Sequence, residues 1–314
     1  MKAIVLDTPT GPDGLQYRDI AVSPIGSDDV IVKVHAISLN PVDVKTSHGK
    51  ALFGSLQRNF PLILGWDIAG EITEVGSAET GFSIGDRVFG MVNFPGKGSA
   101  YAEYVAAPAA HLARIPDGVS YEDAAATTLA ALTAWQNLIE LGGLHEGQRV
   151  LIHAAGGGVG HYAVQLAKER GAYVIATSSA SKRDFVLGLG ADEHIDYEEQ
   201  QFEDVIDPVD VVLDSRDPAH LDRSLKVLKP GGHLFTLAAG ISDSLKQRAN
   251  ERDVLVTHHM VHSDGDQMRA LAERLADGRL HAHVSKVYPF DELADAMRHV
   301  EEGSTEGKVV VSLY

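Results

Sequence analysis

The six residues Ala155-Gly156-Gly157-Gly158-Val159-Gly160 are the stretch of this chain most plainly suited to chemistry. In a G-x-G-x-x-G frame the key positions are Ala155, Gly157 and Gly160, with Gly158 and Val159 completing the turn, so alanine replaces the first glycine. Gly157 would let the backbone approach a pyrophosphate, Gly160 would let a helix lie close on the preceding strand, and the free N–H groups at that helix start attract an anion. The pattern predicts a dinucleotide site. About 20 residues further on, NAD sites carry an acid for the ribose 2′-hydroxyl. Here the run is Thr177-Ser178-Ser179-Ala180-Ser181-Lys182-Arg183, with no carboxylate before Asp184. Hydroxyls followed by two cations suit a 2′-phosphate dianion, which an acid would repel. NADPH is therefore expected over NADH; the plainer alternative is that Lys182 and Arg183 begin a solvated helix.

These residues need a strand, a tight turn and a helix to hold them. Val150-Leu151-Ile152 is an apolar run fit for a strand buried on both faces, and Val159, Ala163, Leu166 and Ala167 recur at helical spacing. From residue 1 to about 120 the texture is different: short β-rich runs (Lys2 to Leu6, Val30 to Val34, Ile68 to Val75, Arg87 to Met91, Ala102 to Val105) separated by glycine and proline. That spacing predicts a compact antiparallel barrel. Ser120 with Asp123 reads as an N-terminal cap for one long segment, Tyr121 to Leu141. Strands and helices then alternate, with strands at Arg149 to His153, Tyr173 to Thr177, Glu193 to Ile195, Asp210 to Asp214, His233 to Leu237 and Val254 to His259. Six strands joined by helices describe a doubly wound parallel α/β sheet. Helices over Gln267 to Asp277 and Phe290 to Glu301 follow, and a last strand, Lys308 to Leu313, would return to the first domain and make it discontinuous. The expected division is 1–120 with 263–314, and 121–262.

Composition limits the partners. A net charge of −17 argues against nucleic acid, which needs a basic face. With no cysteine there is no disulfide, thiolate nucleophile or cysteine-bound zinc. The opening apolar run is too short for a signal peptide or membrane helix, so no membrane partner is expected and the cytoplasm is the default location. Fifteen histidines are scattered. His258 and His259, adjacent on an expected strand, point to opposite faces; His281 and His283 would share a face but lack a third ligand, and no metal is expected. Neither HExxH nor Tyr-x-x-x-Lys occurs.

Several further stretches carry a resemblance. Asn40-Pro41-Val42-Asp43-Val44-Lys45, Leu64-Gly65-Trp66-Asp67-Ile68-Ala69-Gly70, Gly85-Asp86-Arg87-Val88, Leu132-Thr133-Ala134-Trp135, Gly157-Gly158-Val159-Gly160, Leu189-Gly190-Ala191-Asp192 and Lys229-Pro230-Gly231-Gly232 occur in that order along the chain. Together they resemble the medium-chain dehydrogenase/reductase superfamily, in its zinc-free quinone oxidoreductase (zeta-crystallin-like) branch. The resemblance implies a GroES-like β-barrel catalytic domain, an inserted Rossmann domain, a cleft between them, and a homodimer built on the last Rossmann strand. It also implies what is missing: Asn40 stands where zinc alcohol dehydrogenases place a cysteine ligand, Trp66-Asp67 where they carry His-Glu, and Val42 and Lys45 where they have proton-relay residues. Oxidation of an alcohol on a metal is thus not expected.

Without a metal, hydride delivery to a quinone or α,β-unsaturated carbonyl still builds negative charge on an oxygen, which needs donors or water. Such acceptors need less help than an alcohol's carbonyl product. By resemblance, Asn40 lies beside nicotinamide and substrate and would donate from its amide. Lys45 is either a second donor or is paired with Asp43 or a neighbouring acid and purely structural. Thr133 matches a position that touches the nicotinamide side, and Tyr197 one near the 2′-phosphate, alongside Ser178 and Lys182; a tyrosine at 197 would equally cap a sheet edge. The loops Gly49 to Asn59 and Met91 to Gly98 are the expected acceptor lining, with Trp66 read as core. The competing reading is an NADPH-binding sensor or crystallin-like protein with little turnover.

Overall fold

The computed structural model describes residues 1–57, 62–237 and 240–314. The chain forms two compact units, Met1–Leu132 with Val261–Tyr314, and Thr133–Met260. No helix among the described residues is long and apolar enough to cross a membrane.

The first unit begins with β1 (Lys2–Leu6), β2 (Leu15–Asp19), β3 (Asp29–Ser38), β4 (Leu62–Ile63), β5 (Asp67–Val75), β6 (Arg87–Met91), β7 (Tyr104–Pro108) and β8 (Leu112–Arg114). The second unit holds β9 (Arg149–Ile152), β10 (Tyr173–Ser178), β11 (Glu193–Asp196), β12 (Val209–Asp214), β13 (Leu228–Thr236) and β14 (Leu255–His258). The chain then returns to the first unit as β15 (Val284–Pro289) and β16 (Lys308–Ser312).

In the first unit the main sheet runs β15-β16-β3-β5-β6-β8, with β7 also on β3, and β2-β1-β4 form a small second sheet. β3 is the spine. Its register places Ser38 opposite Asp67 of β5 and opposite Val310 of β16. Continued two residues past Ser38, that antiparallel register brings Asn40 beside Lys308. The returning terminal strand expected from the sequence is therefore what completes this sheet.

The second unit's sheet is parallel throughout, in the order β11-β10-β9-β12-β13-β14. That is the 3-2-1-4-5-6 order of a dinucleotide-binding fold, whose direction reverses between β9 and β12. Leu151, Ile175, Val212 and Leu234 are buried at its centre under Leu221, Leu225 and Leu245. Helices cover such a sheet on both faces, which is why its strands read as unbroken apolar runs.

The structure corrects four expectations. The segment 121–141 is not one helix but Tyr121–Ala126, Leu129–Trp135 and a π-helical turn, Gln136–Leu141. Ser120 does cap the first piece, accepting from the Asp123 N–H at 3.0 Å. The break falls at two threonines: Thr127 Oγ1 donates to the Asp123 carbonyl and Thr128 Oγ1 to that of Ala125, side-chain competition that bends helices. Tyr121–Ala126 packs on β3, β5 and β16, so the first unit runs to residue 132 rather than 120. The strand expected at Ala102 starts at Tyr104, Ala102 making only an isolated bridge to Ala3. His281 and His283 precede β15 rather than lie on it, and His283 faces Glu306 at 3.1 Å.

Candidate active site

In the second unit the chain leaves β9 at His153 and turns into the helix Gly160–Glu169. The left-handed residue of this turn is Ala154, at φ 50°, and the Gly157 N–H closes back on its carbonyl at 2.9 Å. Ala155 has no positive φ, is buried, and donates its N–H to the Thr177 carbonyl at 3.0 Å. This explains why alanine is tolerated where the frame has glycine. Gly160 is obligatory, because a Cβ there would lie 2.3 Å from the Ala154 carbonyl oxygen and 2.6 Å from Ala155 Cα. At Gly157 a Cβ would meet only one atom, at 3.2 Å; packing does not demand glycine there, and its smallness leaves the half-exposed turn open. A Cβ on Gly156 would come 2.8 Å from Lys182 Cδ. The Lys182 stem therefore lies against the turn.

Of the other residues expected at the coenzyme, Ser178 and Tyr197 lie at the ends of adjoining strands, Arg183 opens the helix Arg183–Gly188, and Thr133 lies on a separate helix. Ser178 is buried at the end of β10, with its Oγ 2.8 Å from His194 Nε2 on β11. Arg183 is exposed and its charge helps hold the His194 imidazole below its usual pKa, after the larger effect of burial. Tyr197 follows the edge strand, half exposed, donates its N–H to the Ser178 carbonyl at 3.3 Å, and has the Arg216 guanidinium 5.9 Å above its ring. Thr133 is buried in the helix Leu129–Trp135, and its carbonyl accepts from Asn137 Nδ2 at 2.8 Å. His194 and Arg216 were not singled out from the sequence; their signal is position, just after or within strands whose carboxyl ends face a ligand crevice.

Beneath the switch point lies a second polar group. His153 is buried, with Nδ1 3.0 Å from Thr177 Oγ1 and Nε2 3.2 Å from Ser224 Oγ. Ser224 donates to Asp214 Oδ2 at 2.7 Å, so the network assigns the His153 proton to Nε2. His220 Nδ1 sits 2.8 Å from the same carboxylate oxygen, and the Arg216 N–H donates to the other at 2.8 Å. Burial pushes the His153 pKa down to about 3. The ligand atoms of His153, Asp214 and His220 lie within 4.8 Å of one another, a spacing compatible with a metal. Each nevertheless already has a hydrogen-bond partner, so the network accounts for the three residues without an ion.

In the first unit Asn40 caps the helix Pro41–Ser47, where its N–H donates to Asp43 Oδ2 at 2.6 Å. The Asn40 side chain is buried and bound at both ends: Nδ2 donates to Asp67 Oδ2 at 2.7 Å, and Oδ1 accepts from Lys308 Nζ at 2.5 Å. Asp67 Oδ1 accepts from the Leu129 N–H at 3.1 Å. Burial raises the Asp67 carboxyl, opposed by Lys308 and by the donors of Asn40, Thr128 and Leu129. Burial, then the Asp67 charge, push Asp43 up to about 8, so Asp43 is protonated at neutral pH. Tyr101, also buried, is raised well above its usual pKa by burial and both aspartates. Lys45 is exposed and forms no ion pair among the described residues. The alternative in which Lys45 pairs with Asp43 is not realised, because Asp43 points inward to the Asn40 cap. A zinc ion does not fit here: the Asn40 amide is already bound between Asp67 and Lys308, an ammonium offers no lone pair to a metal, and the Trp66 indole, 1 % exposed, donates to the Gly96 carbonyl at 2.7 Å. Phe94, in the loop Met91 to Gly98, packs edge-on to Trp66; of the loop Gly49 to Asn59, Arg58 and Asn59 lie outside the described residues.

The model of the alcohol dehydrogenase GroES-like domain matches residues 26–117, and that of the zinc-binding dehydrogenase family residues 189–311. The chain is 34% identical to a 2-methylene-furan-3-one reductase of Solanum lycopersicum, over 93% of this chain and 74% of that protein. It belongs to the medium-chain dehydrogenase/reductase superfamily, in its quinone oxidoreductase branch. Within that superfamily it is 33% identical to an NADPH-dependent alkenal/one oxidoreductase, chloroplastic, of Arabidopsis thaliana, over 99% of this chain and 79% of the other. The solved quinone oxidoreductase of Coxiella burnetii superposes with a TM-score of 0.95 at 32% identity, covering 100% of this chain and 99% of that one. In this superfamily member, then, the GroES-like unit carries the Asn40 cluster and the Rossmann unit the glycine turn.

Proposed function

We propose that this chain is a zinc-independent reductase that moves hydride from NADPH to a quinone or an α,β-unsaturated carbonyl. The observation that carries the reading is the buried Asn40–Asp67–Lys308 cluster, which puts an amide donor where zinc-dependent relatives need metal ligands. NADPH, when bound, supplies the hydride. The glycine turn and its helix start receive the pyrophosphate, and Lys182 beside Gly156, with Ser178, Arg183 and Tyr197, receives the 2′-phosphate. One Nδ2 hydrogen of Asn40 remains after the bond to Asp67; it is the donor offered to the oxygen that gains charge. Lys45, exposed and unpaired, is the second donor of this reading, and solvent supplies the proton. Names of relatives in both acceptor classes support the assignment, the furanone and alkenal/one reductases for enones and the Coxiella burnetii protein for quinones.

A second copy is proposed to pair along β14, an edge strand with Leu255 60% exposed and Met260 48% exposed nearby; light scattering at the monomer mass would reject that. The cytoplasm is the proposed location, to be checked by fractionation.

The test is coenzyme consumption with an ortho-quinone, a para-quinone, an enal and an enone, and with a simple alcohol plus NADP⁺, each repeated with the NAD form. Turnover of quinones or enones with NADPH alone is expected. A Lys182→Ala, Arg183→Ala variant should bind NADPH about 10- to 100-fold more weakly and NADH unchanged, since charge-assisted bonds are worth roughly 1.5–3 kcal/mol. Tight NADPH binding with no turnover would replace the reductase by the sensor reading.

A further inference from the structure

Lys308 begins β16 and is 3 % exposed. Its ammonium donates to Asn40 Oδ1 at 2.5 Å and to the Leu39 carbonyl at 2.8 Å. On the other side of the same amide, Nδ2 meets Asp67 at 2.7 Å. An ammonium only donates and a carboxylate only accepts. A flipped Asn40 would therefore set NH2 against the ammonium and a carbonyl against the carboxylate. The cluster permits one amide orientation, and a cation on Oδ1 draws charge from the nitrogen and strengthens its remaining N–H as a donor.

We infer that Lys308 is a positioning residue for the reduction: it locks the Asn40 amide and sharpens the N–H that Asn40 offers to the acceptor oxygen. This rests on the reading of Asn40 as that donor. Lys308 is buried against Asn40 and hands over no proton itself; the proton that completes reduction comes from elsewhere. The sequence signal is a lone lysine opening an apolar strand, Lys308-Val309-Val310-Val311, a residue type almost never fully buried without a partner.

The test is a double-mutant cycle in the full chain with Asn40→Ala, Lys308→Met and both together, measuring kcat and KM for the best acceptor, and the NADPH Kd. Lys308→Met should lower kcat by about 10-fold or more, leave NADPH Kd within about twofold, and cost nothing further in the double variant. Lys308→Arg should recover part of the loss. In the coenzyme-free protein, the Asn40 side-chain amide resonances, assigned by their absence in Asn40→Ala, should move in Lys308→Met and stay near their place in Lys308→Arg. Losses that multiply in the double variant, or Lys308→Met turning over like the parent, overturn the inference alone. Full activity in Asn40→Ala overturns the donor reading and the inference with it. Should Lys308→Met fail to fold, Lys308→Met with Asp67→Asn removes both charges, and the same cycle on an Asp67→Asn background decides.

Discussion

The first unit buries a lysine, two aspartates and an asparagine together; the second buries a histidine, an aspartate, a serine and a threonine, with a second histidine, His220, half-buried against them. In the second unit Thr177, His153, Ser224, Asp214 and His220 form one connected run of hydrogen bonds. In the first, Asp43 Oδ1 and the Tyr101 hydroxyl reach no well-formed bond, and the buried hydroxyls of Ser38 and Thr46 have no partner among the described residues. Native proteins leave few such groups, and those they leave call for a reason. The connected network is scaffold beneath the coenzyme turn. The charged one leaves buried polar groups unanswered, at a cost in stability.

That contrast can be broken by removing one acid from each network. Asp67→Ala leaves Lys308 a buried, uncompensated charge and should cost roughly 3–5 kcal/mol in denaturant unfolding. Asp214→Ala removes an acceptor from neutral or readily hydrated donors and should cost less, about 1–3 kcal/mol; equal losses would erase the distinction. The two networks should also respond to pH in opposite senses. Asp43 is raised to about 8 from an unfolded value near 4, so the folded state holds the extra proton. Its contribution to stability is full below about pH 4 and is lost as pH rises toward 8, with a slope of at most roughly 1.4 kcal/mol for each pH step of one, and Asp43→Asn should flatten that slope in melting curves. His153 is lowered to about 3 from an unfolded value near 6.5, so the unfolded state takes the proton first. Stability is then lost as pH falls through that window, and His153→Gln should flatten the acid limb instead. The smallest effect belongs to Ser224→Ala, about 1 kcal/mol, with NADPH Kd unmoved.

What could be seen in the sequence was what is local. The glycine turn, the strand before it and the cations after it lie within one βαβ stretch, so spacing alone located them, and the parallel sheet followed from alternation. Thr127 and Thr128 lie where the helix breaks, while the carboxylate that takes the freed Leu129 N–H, Asp67, lies 62 positions away. Asn40 and Lys308, 268 positions apart, meet only through the register of β16 on β3. The exposure of Lys45 likewise depends on Asp43 turning inward, which the motif Asn40-Pro41-Val42-Asp43 does not declare.

The pairing of β16 with β3 also governs the order of assembly. Strands β9 to β14 find all their partners within residues 149–258, so the Rossmann sheet can close while later residues are still being made. β3, paired with β7 along residues 29–33, has to wait for Val310 before its end at residues 36–38 is covered on that edge, with a loop of most of the chain's length to close and the entropy of that closure to overcome. Folding should accordingly be biphasic, the inserted unit first and the divided one last. Reducing power would then arrive only with the final strand, after the coenzyme fold is already in place.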